Sequence, residues 1–356
     1  MSGFALATRI AKANLIVALS KYTLLIIMIS GFTLVKDALK QGYPFVEAIA
    51  SALPICDEFL ISEGYSTDGT YEVIQRIASL NKKVKVFRQH WPVAKNRNFI
   101  GERAQHPDSE QYHKCGAFIG DLTNAVRKKC KYDYIFHVQA GEVVHEKSTE
   151  FIRSIPEICP EAMTFSLPYL HLTNSYVFGQ EFRVRFSKNC SHVVAKGDAS
   201  ALGLTRDFRA GEAFKSLINP RRFVQLVGAG LDWKYANNPS AKFSKAIYLP
   251  QPIYRYWSLF PRNHIEKSII HAKVLNLPQF EEAANILKSH IDDPSTFWKL
   301  SRLTFRGWGE QNYPETLRFV RKDEHPRIMQ DLISDPSNKH DVYYVREEIL
   351  NELRGF

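Results

Sequence analysis

Residues 55–70 constrain the fold of this chain more than any other stretch of the sequence. Their apolar run at residues 59–61 is short enough to be a buried strand, and it ends close to Glu63. Residues 66–70 then contain several of the residue types that begin helices. A strand that ends at an acidic residue and leads into a helix N-terminus is typical of an open α/β sheet. Ligands such as nucleotides bind at the carboxyl ends of the strands in such sheets.

The hydrophobic pattern extends this sheet along the chain. Pro44 begins a predicted helix in which Phe45 and Ile49 face inward. Alternating strands and helices predict a mainly parallel sheet flanked by helices and joined by right-handed crossovers. The predicted strands are residues 24–29, 59–61, 84–88, 132–138, 163–170 and 182–187, and the later predicted helices are residues 70–80, 116–129 and 264–291. In residues 182–187, Arg183 and Arg185 alternate with apolar residues, so we expect a basic face turned outward.

The predicted domain organisation has three parts. Residues 23–262 form one α/β domain, and residues 263–356 form a C-terminal helical extension. Residues 1–22 are a basic amphipathic extension that packs on the domain or lies on a membrane surface. A spanning helix is not expected, because Lys21 divides the apolar N-terminal region into uncharged runs of 8 and 14 residues, short of the roughly 18 that a membrane span requires.

The composition narrows the class of partner. A net charge of +10 suggests an anionic partner, either a nucleoside diphosphate, a lipid phosphate, a membrane surface or nucleic acid, although a generally basic surface explains it equally. No recognised motif supports nucleic acid, so we predict no nucleic-acid partner. The five scattered cysteines lack a C-x-x-C pair, which favours reduced thiols and a cytoplasmic protein, with peripheral membrane contact as an option.

Three short motifs follow predicted strands: E-G-Y-S-T-D-G-T at residues 63–70, Q-A-G-E at residues 139–142 and P-I-Y-R-Y-W at residues 252–257. This order resembles family 2-like glycosyltransferases of the GT-A fold. Those enzymes carry a D-G-S-T-D-G-T-like element, a D-x-D or Q-A-D-E element and an H-Y-x-[WY]-type segment. Residues 29–38 also resemble the first strand and turn of a bacterial branch of this group. The resemblance covers roughly residues 24–275 and implies a GT-A-type, Rossmann-like sheet.

The resemblance also implies which residues bind a nucleotide-sugar donor. Glu63 would accept a hydrogen bond from the base or ribose. Asp68 either contacts the donor or orders the turn and caps the next helix. Asn124 lies on the helix before the key strand, where related enzymes place a residue near the nucleotide, but a solvated helix position explains it nearly as well. The predicted donor-binding residues are Phe32, Glu63, Asp68, Asn124, Gln139, Gly141 and Glu142.

The second motif departs from the family in its metal ligands. A divalent cation needs hard oxygen ligands, yet Gln139 and Gly141 stand at the matching positions and leave Glu142 as the only carboxylate. Arg255 stands where the family often supplies a metal-binding histidine. We therefore predict no metal ligand and a catalytic Arg255 that stabilises the leaving nucleoside diphosphate. Mn²⁺ or Mg²⁺ is the less favoured alternative.

An inverting sugar transfer also needs a base for the acceptor hydroxyl. Asp198 is the first choice, with Asp207 and Glu212 as alternatives, although each could be an ordinary surface carboxylate. Tyr254 and Tyr256 either stack on a sugar or cover the edge of the sheet. The predicted function is therefore transfer of a sugar from a nucleotide-sugar donor to an acceptor, which could be a glycan or a lipid-linked molecule. A catalytically inactive nucleotide-sugar or glycan-binding protein is the first alternative, and a nucleotidyltransferase is the second.

Overall fold

The computed structural model describes residues 27–91, 110–173, 176–195, 202–205, 207, 243–256, 318–334 and 345–355. The strands in these ranges are β1 (Ile29–Val35), β2 (Glu58–Glu63), β3 (Val84–Arg88), β4 (Tyr134–His137), β5 (Glu142–Val144), β6 (Thr164–Thr173), β7 (Tyr176–Lys188), β8 (Val193–Ala195), β9 (Leu202–Leu204), β10 (Ser244–Ala246), β11 (Ile253–Tyr256) and β12 (Arg318–Phe319). The helices are α1 (Ala38–Gln41), α2 (Phe45–Ala52), α3 (Thr70–Leu80), α4 (Glu110–Arg127), α5 (Glu146–Ile158), α6 (Arg327–Ser334) and α7 (Glu347–Glu352), with short 3₁₀ segments at Lys322–Glu324 and Leu353–Gly355.

The main sheet is mixed but largely parallel, as the sequence predicts. Its strand order is β3-β2-β1-β4-β7-β6-β11-β5, with β10 also paired to β6 and β12 to β7. β7 runs antiparallel between β4 and β6, and β5 runs antiparallel to β11. β1, β2, β3, β4, β6 and β11 all point the same way, so they end at one edge of the sheet, here named the carboxyl edge.

Two hydrophobic clusters cover the two faces of the sheet. The larger contains residues of α2, α3 and α5, together with Met329 and Leu332 of α6 and Leu350 of α7. The smaller joins Phe32, Leu60 and Ile135 to α4 and to the β8–β9 pair. The described part of the C-terminal region therefore packs on the larger cluster. The predicted domain boundaries at residues 22 and 262 lie outside the described residues.

The predicted first strand at residues 24–29 overlaps β1 (Ile29–Val35) only at Ile29, and residues 24–26 lie outside the described residues. Ser30 interrupts the apolar pattern there, yet it is buried because its hydroxyl donates to Glu58 at 2.7 Å and accepts from the backbone N–H of Tyr132 at 3.0 Å. Gly31 fits between neighbouring strands, since a Cβ atom there would lie 2.4 Å from the Phe59 ring. Long-range hydrogen bonds and close packing select this segment over the more apolar one before it.

The described residues contain no helix that is both long and apolar enough to cross a membrane. Cys56, Cys130, Cys159 and Cys190 carry free thiols. The predicted N-terminal extension at residues 1–22 lies outside the described residues, so its contact with a membrane stays a prediction.

Candidate active site

Glu63, at the carboxyl end of β2, is completely buried and anchors the turn that follows it. Its carboxylate accepts hydrogen bonds from the backbone N–H groups of Tyr65 at 3.0 Å and Ser66 at 2.5 Å, and from Arg88 Nε at 2.7 Å. Burial raises the pKa of Glu63, but the hydrogen bonds from Ser66 and Arg88 outweigh burial and lower it. The residue predicted to bind the donor base or ribose therefore already holds its own turn together.

Asp68 links the turn to the helices on either side of it. Its carboxylate accepts from the backbone N–H groups of Thr70 at 3.1 Å and Lys40 at 2.8 Å. The helix α3 begins after Gly69, whose φ of 91° is accessible to glycine at little cost. These contacts support the alternative in which Asp68 orders the turn and satisfies the start of α3.

An aromatic and basic surface lies beside this turn, and the sequence analysis missed it. The Arg88 guanidinium lies 4.1 Å from the ring centroids of both Tyr65 and Tyr71. His90 stacks on Tyr65 with ring centroids 4.1 Å apart, and Tyr65 is 39% exposed. Tyr65 also has a φ of 58°, which is uncommon for a residue with a bulky side chain. Flat rings and a cation at the carboxyl edge offer a stacking surface to a planar ligand.

Glu142, the first residue of β5, is the centre of a buried ion cluster. Arg185 donates to it through Nε at 2.8 Å and Nη2 at 2.7 Å, one bond to each carboxylate oxygen. Arg255 Nη1 donates to Oε1 at 2.9 Å, and the backbone N–H of Gln139 donates to Oε2 at 3.1 Å. The side chains of Glu142 and Arg185 are 1% exposed, whereas that of Arg255 is 20% exposed. Solvent therefore has almost no access to the Arg185 side chain, whereas part of the Arg255 side chain is accessible.

The charges in this cluster control the ionisation of Glu142. Burial raises its pKa, but the neighbouring charges of Arg185 and Arg255 outweigh burial and hold the pKa at about 2. Tyr169 lies within 3.4 Å of both guanidinium groups through its hydroxyl, and burial raises its pKa to about 12. One carboxylate, two guanidinium groups and a neutral phenol leave the cluster with a net positive charge.

The structure departs from the predicted basic outer face of β7 at Arg185. The expectation that it points outward is wrong, because the side chain is fully buried. The reason is a β-bulge: Phe165 pairs with Phe186 but the next residue, Ser166, pairs with Val184. Arg185 is the extra residue, and a bulge turns the side chain of such a residue away from the regular alternation. Strict alternation along the sequence could not reveal this.

Gly141 and Gln139 contact β11, the strand that carries Arg255. A Cβ atom at Gly141 would lie 2.4 Å from the backbone oxygen of Tyr256, whose N–H donates to the Gly141 carbonyl at 2.8 Å. An aspartate at this position would collide with β11. The Gln139 side-chain oxygen accepts a hydrogen bond from Arg255. Both residues predicted to contact the donor therefore fix the position of Arg255.

The residues at this position do not fit a divalent cation. Both oxygens of Glu142 accept hydrogen bonds from guanidinium groups, and a cation would have to displace those charges. Within the described ranges, no group of three His, Cys, Asp or Glu side chains is arranged to hold a metal ion. The chemistry available here is that of fixed positive charge rather than that of a bound metal.

The remaining predicted residues are Phe32, Asn124 and the three candidate bases. Phe32 is a core residue with no exposure, and its ring stacks on buried His137 at 4.7 Å, so its predicted contact with the donor is not supported. Asn124 is not a solvated helix position, because its side chain donates to the carbonyl of Ala195 at 3.0 Å and accepts from the N–H of Ala195 at 2.9 Å. Asp207 is exposed, whereas Asp198 and Glu212 lie outside the described residues.

Tyr254 and Tyr256 belong to the core rather than to a sugar-binding surface. They are 3% and 0% exposed, respectively. The Tyr254 hydroxyl donates to the Glu324 carbonyl at 2.8 Å, and the Tyr256 hydroxyl is 2.7 Å from Nδ1 of His325. These hydrogen bonds link β11, which carries Arg255, to Glu324 and His325 in the C-terminal region.

Comparisons with known proteins give weak likenesses. No protein-family model and no curated protein matches the chain. Among solved structures, S. aureus TarS 1–349 aligns over 92% of this chain and 89% of its own, with 9% identity and a TM-score of 0.32. Its complex with UDP aligns over 76% and 73%, with 11% identity and a TM-score of 0.31.

A further structure, the complex of S. aureus TarS 1–349 with UDP-GlcNAc, aligns over 41% of this chain with 15% identity and a TM-score of 0.26. The chain spans about a third of the length of that structure, 34%. TM-scores in this range do not establish a common fold. The resemblance to family 2 glycosyltransferases therefore stays a prediction, and the function proposed below rests on the residues of this chain.

Proposed function

We propose that this protein is a glycosyltransferase of the GT-A type that uses a nucleotide-sugar donor and no divalent metal. The observation that carries the proposal is the pairing of Glu142 with Arg185 and Arg255 at the carboxyl edge. This pairing stands where the resemblance predicts a metal site. Ligands of open α/β sheets bind at this edge, and the cluster there bears an excess of positive charge.

The two arginines have different tasks in this proposal. Arg185 is buried and neutralises Glu142. Arg255 reaches solvent and donates to oxygens of the donor diphosphate, whose negative charge grows as the sugar leaves. The acceptor oxygen forms a bond to the anomeric carbon while the bond from that carbon to the diphosphate oxygen breaks, which inverts the configuration. A fixed guanidinium in a site of low dielectric stabilises this charge more strongly than it would in water.

The sequence-based candidate for the base, Asp198, follows the end of β8. Asn124 holds that end through the two hydrogen bonds to Ala195. Asn124 is therefore a positioning residue for the end of β8, and Asp198 lies outside the described residues. The acceptor, whether a glycan or a lipid-linked molecule, and membrane contact through residues 1–22 remain proposals of the sequence analysis.

A silent nucleotide-sugar-binding protein is the second candidate. The same observation favours it, because a carboxylate locked between two arginines is unavailable for catalysis by itself. The two candidates differ in turnover rather than in binding, so a measurement of each separates them.

The first prediction concerns the donor and the metal together. Thermal shift against a panel of nucleoside diphosphates and nucleotide sugars, with and without EDTA, should show stabilisation by one base that EDTA leaves unchanged. A ligand at 100 times its Kd stabilises the native state by about 2.7 kcal/mol. No response to any nucleotide would contradict the proposed function, and a response that EDTA abolishes would contradict a metal-free site.

The second prediction concerns Arg255. Replacing it in the variant Arg255→Gln should lower the rate of nucleoside diphosphate release by about 100-fold, because the fixed charge is lost. The matched control is Arg76→Gln, which removes an exposed guanidinium paired with Glu347. Equal rates in the two variants would remove Arg255 from the site. Binding without release of the diphosphate in the wild-type protein would favour the silent candidate.

A further inference from the structure

A histidine and a carboxylate lie beside Arg255, and neither the motifs nor the proposed function accounts for them. His171, near the carboxyl end of β6, makes a short hydrogen bond through Nε2 to Glu181 Oε1 on β7. Arg183 Nε donates to the same oxygen at 2.6 Å. The His171 side chain is 11% exposed and that of Glu181 is 29% exposed. The pair therefore reaches the surface of the carboxyl edge.

His171 and Arg255 occupy paired positions on neighbouring strands. The register of β6 and β11 places them opposite each other, about 4.8 Å apart along the hydrogen-bonding direction. Arg255 is drawn toward Glu142 on β5, and His171 is drawn toward Glu181 on β7. The two side chains therefore have separate acidic partners, one on the strand to each side of the β6–β11 pair. A displacement of this kind needs a base for the acceptor and a separate group for the leaving diphosphate within one site.

The hydrogen bond to Glu181 sets the tautomer of His171. Burial raises the pKa of Glu181, but the hydrogen bonds from His171 and Arg183 outweigh burial and hold it at about 2. An ionised carboxylate only accepts hydrogen bonds, so Nε2 of the neutral imidazole carries the proton and Nδ1 carries the lone pair. The groups that face His171 include Tyr169 on its own strand, Glu181 and Arg183 on β7, and Arg255 on β11. Burial lowers the pKa of His171 more than Glu181 raises it, which keeps the imidazole neutral near pH 7.

We propose that His171, held by Glu181, is the base that deprotonates the acceptor hydroxyl. The proton moves to Nδ1 as the hydroxyl oxygen forms its bond to the anomeric carbon. The bond between that carbon and the diphosphate oxygen breaks, and its electrons leave with the nucleoside diphosphate beside Arg255. Glu181 stabilises the imidazolium that forms, and the proton then passes to solvent. This proposal rests on the proposed function and assigns to His171 the task that the sequence analysis gave to Asp198.

The test compares three variants with the wild-type protein. The readout is release of nucleoside diphosphate, with water as the acceptor, from the nucleotide sugar that gives the largest thermal shift. His171→Gln keeps a donor for Glu181 but lacks the basic nitrogen, so kcat should fall about 100-fold while the donor Kd stays within about twofold. The control His192→Gln, at an exposed histidine, should keep wild-type kcat. Asp198→Asn is the competing variant, because a fall in kcat there with none in His171→Gln would return the role of base to Asp198.

A fourth variant tests the pair by a property that simple misfolding would not change. In Glu181→Gln the imidazolium loses its counter-charge, so the acid limb of the kcat profile should move to lower pH while the melting temperature stays close to that of the wild type. An unchanged kcat in His171→Gln, or a loss confined to Asp198→Asn, would overturn the proposal and leave the proposed function standing. Donor binding without turnover in the wild-type protein would overturn this proposal together with the transferase activity, and it would favour the silent nucleotide-sugar-binding protein. No nucleotide-sugar binding at all would overturn the proposed function and this proposal with it.

Discussion

The carboxyl edge holds two acidic residues that look alike in sequence and differ in structure, Glu63 at the end of β2 and Glu142 at the start of β5. Both carboxylates are completely buried, and both contact arginine. Glu63 is held mainly by backbone N–H groups two and three residues further along the chain. Glu142 is held by guanidinium groups 43 and 113 residues away. The first network shapes a local turn, whereas the second joins β5, β7 and β11 and concentrates charge.

The comparison shows that an acidic residue at a strand end can have different tasks within one sheet. The carboxylate of the turn after β2 satisfies backbone N–H groups of that turn, and the partly exposed Tyr65 beside it contacts His90 and Arg88. In the cluster around Glu142, the Arg255 side chain is 20% exposed. We expect loss of the carboxylate to lower the free energy of unfolding less at Glu63 than at Glu142.

The largest effect is expected from Glu142→Gln. Removing this charge leaves two guanidinium groups without their counter-charge, one of them fully buried, and should lower the free energy of unfolding by about 3–5 kcal/mol. Urea denaturation measures the loss, and the double variant Glu142→Leu with Arg185→Met should recover part of it. A single variant as stable as the wild type would mean that Glu142 and Glu63 are equivalent after all.

The same pair of proteins gives a test in acid. The pKa of Glu142 lies at about 2, below its ordinary value of 4.5. A carboxyl with a depressed pKa contributes stability that is complete above the ordinary value and is lost as the pH falls through about 2. The difference in unfolding free energy between wild type and Glu142→Gln should therefore shrink over this range.

An intermediate effect is expected from Gly141→Ala. The added methyl group would meet the Tyr256 carbonyl at the junction of the 139–142 turn and β11, and such overpacking costs about 1–3 kcal/mol. Gly203, around which no atom lies within 4 Å of an added Cβ, is the matched control. If Gly141→Ala and Gly203→Ala had the same melting temperature, the close approach that excludes an aspartate at this position would be refuted.

The smallest effect is expected from Glu63→Gln. The N–H groups of Tyr65 and Ser66 donate to different carboxylate oxygens, so the amide keeps an acceptor for only one of them, while Arg88 remains partly solvated; the loss should be about 1–2 kcal/mol. Urea denaturation beside Glu142→Gln provides the direct comparison. A larger loss in Glu63→Gln than in Glu142→Gln would reverse the order that the structure implies.

Local pattern predicted much of the scaffold. The helix at residues 70–80 and the strand at residues 84–88 lie where their periodicity placed them, because each buries its apolar residues on one regular face. The first strand was misplaced because Ser30 and Thr33 interrupt its apolar run, although both are buried. Ser30 is tolerated through partners that are 28 and 102 residues away.

The sequence by itself determined the alternating α/β order, the acidic end of β2 and the absence of carboxylates at Gln139 and Gly141. These follow from residue type and short-range spacing, which depend on local sterics and hydrogen bonding. Only the tertiary structure decided that Arg185 is buried at a bulge, that Glu142 is shared between two strands and that His171 meets Glu181 beside Arg255. Strand order and register bring these distant residues together, and neither can be read from the spacing of residues along the chain.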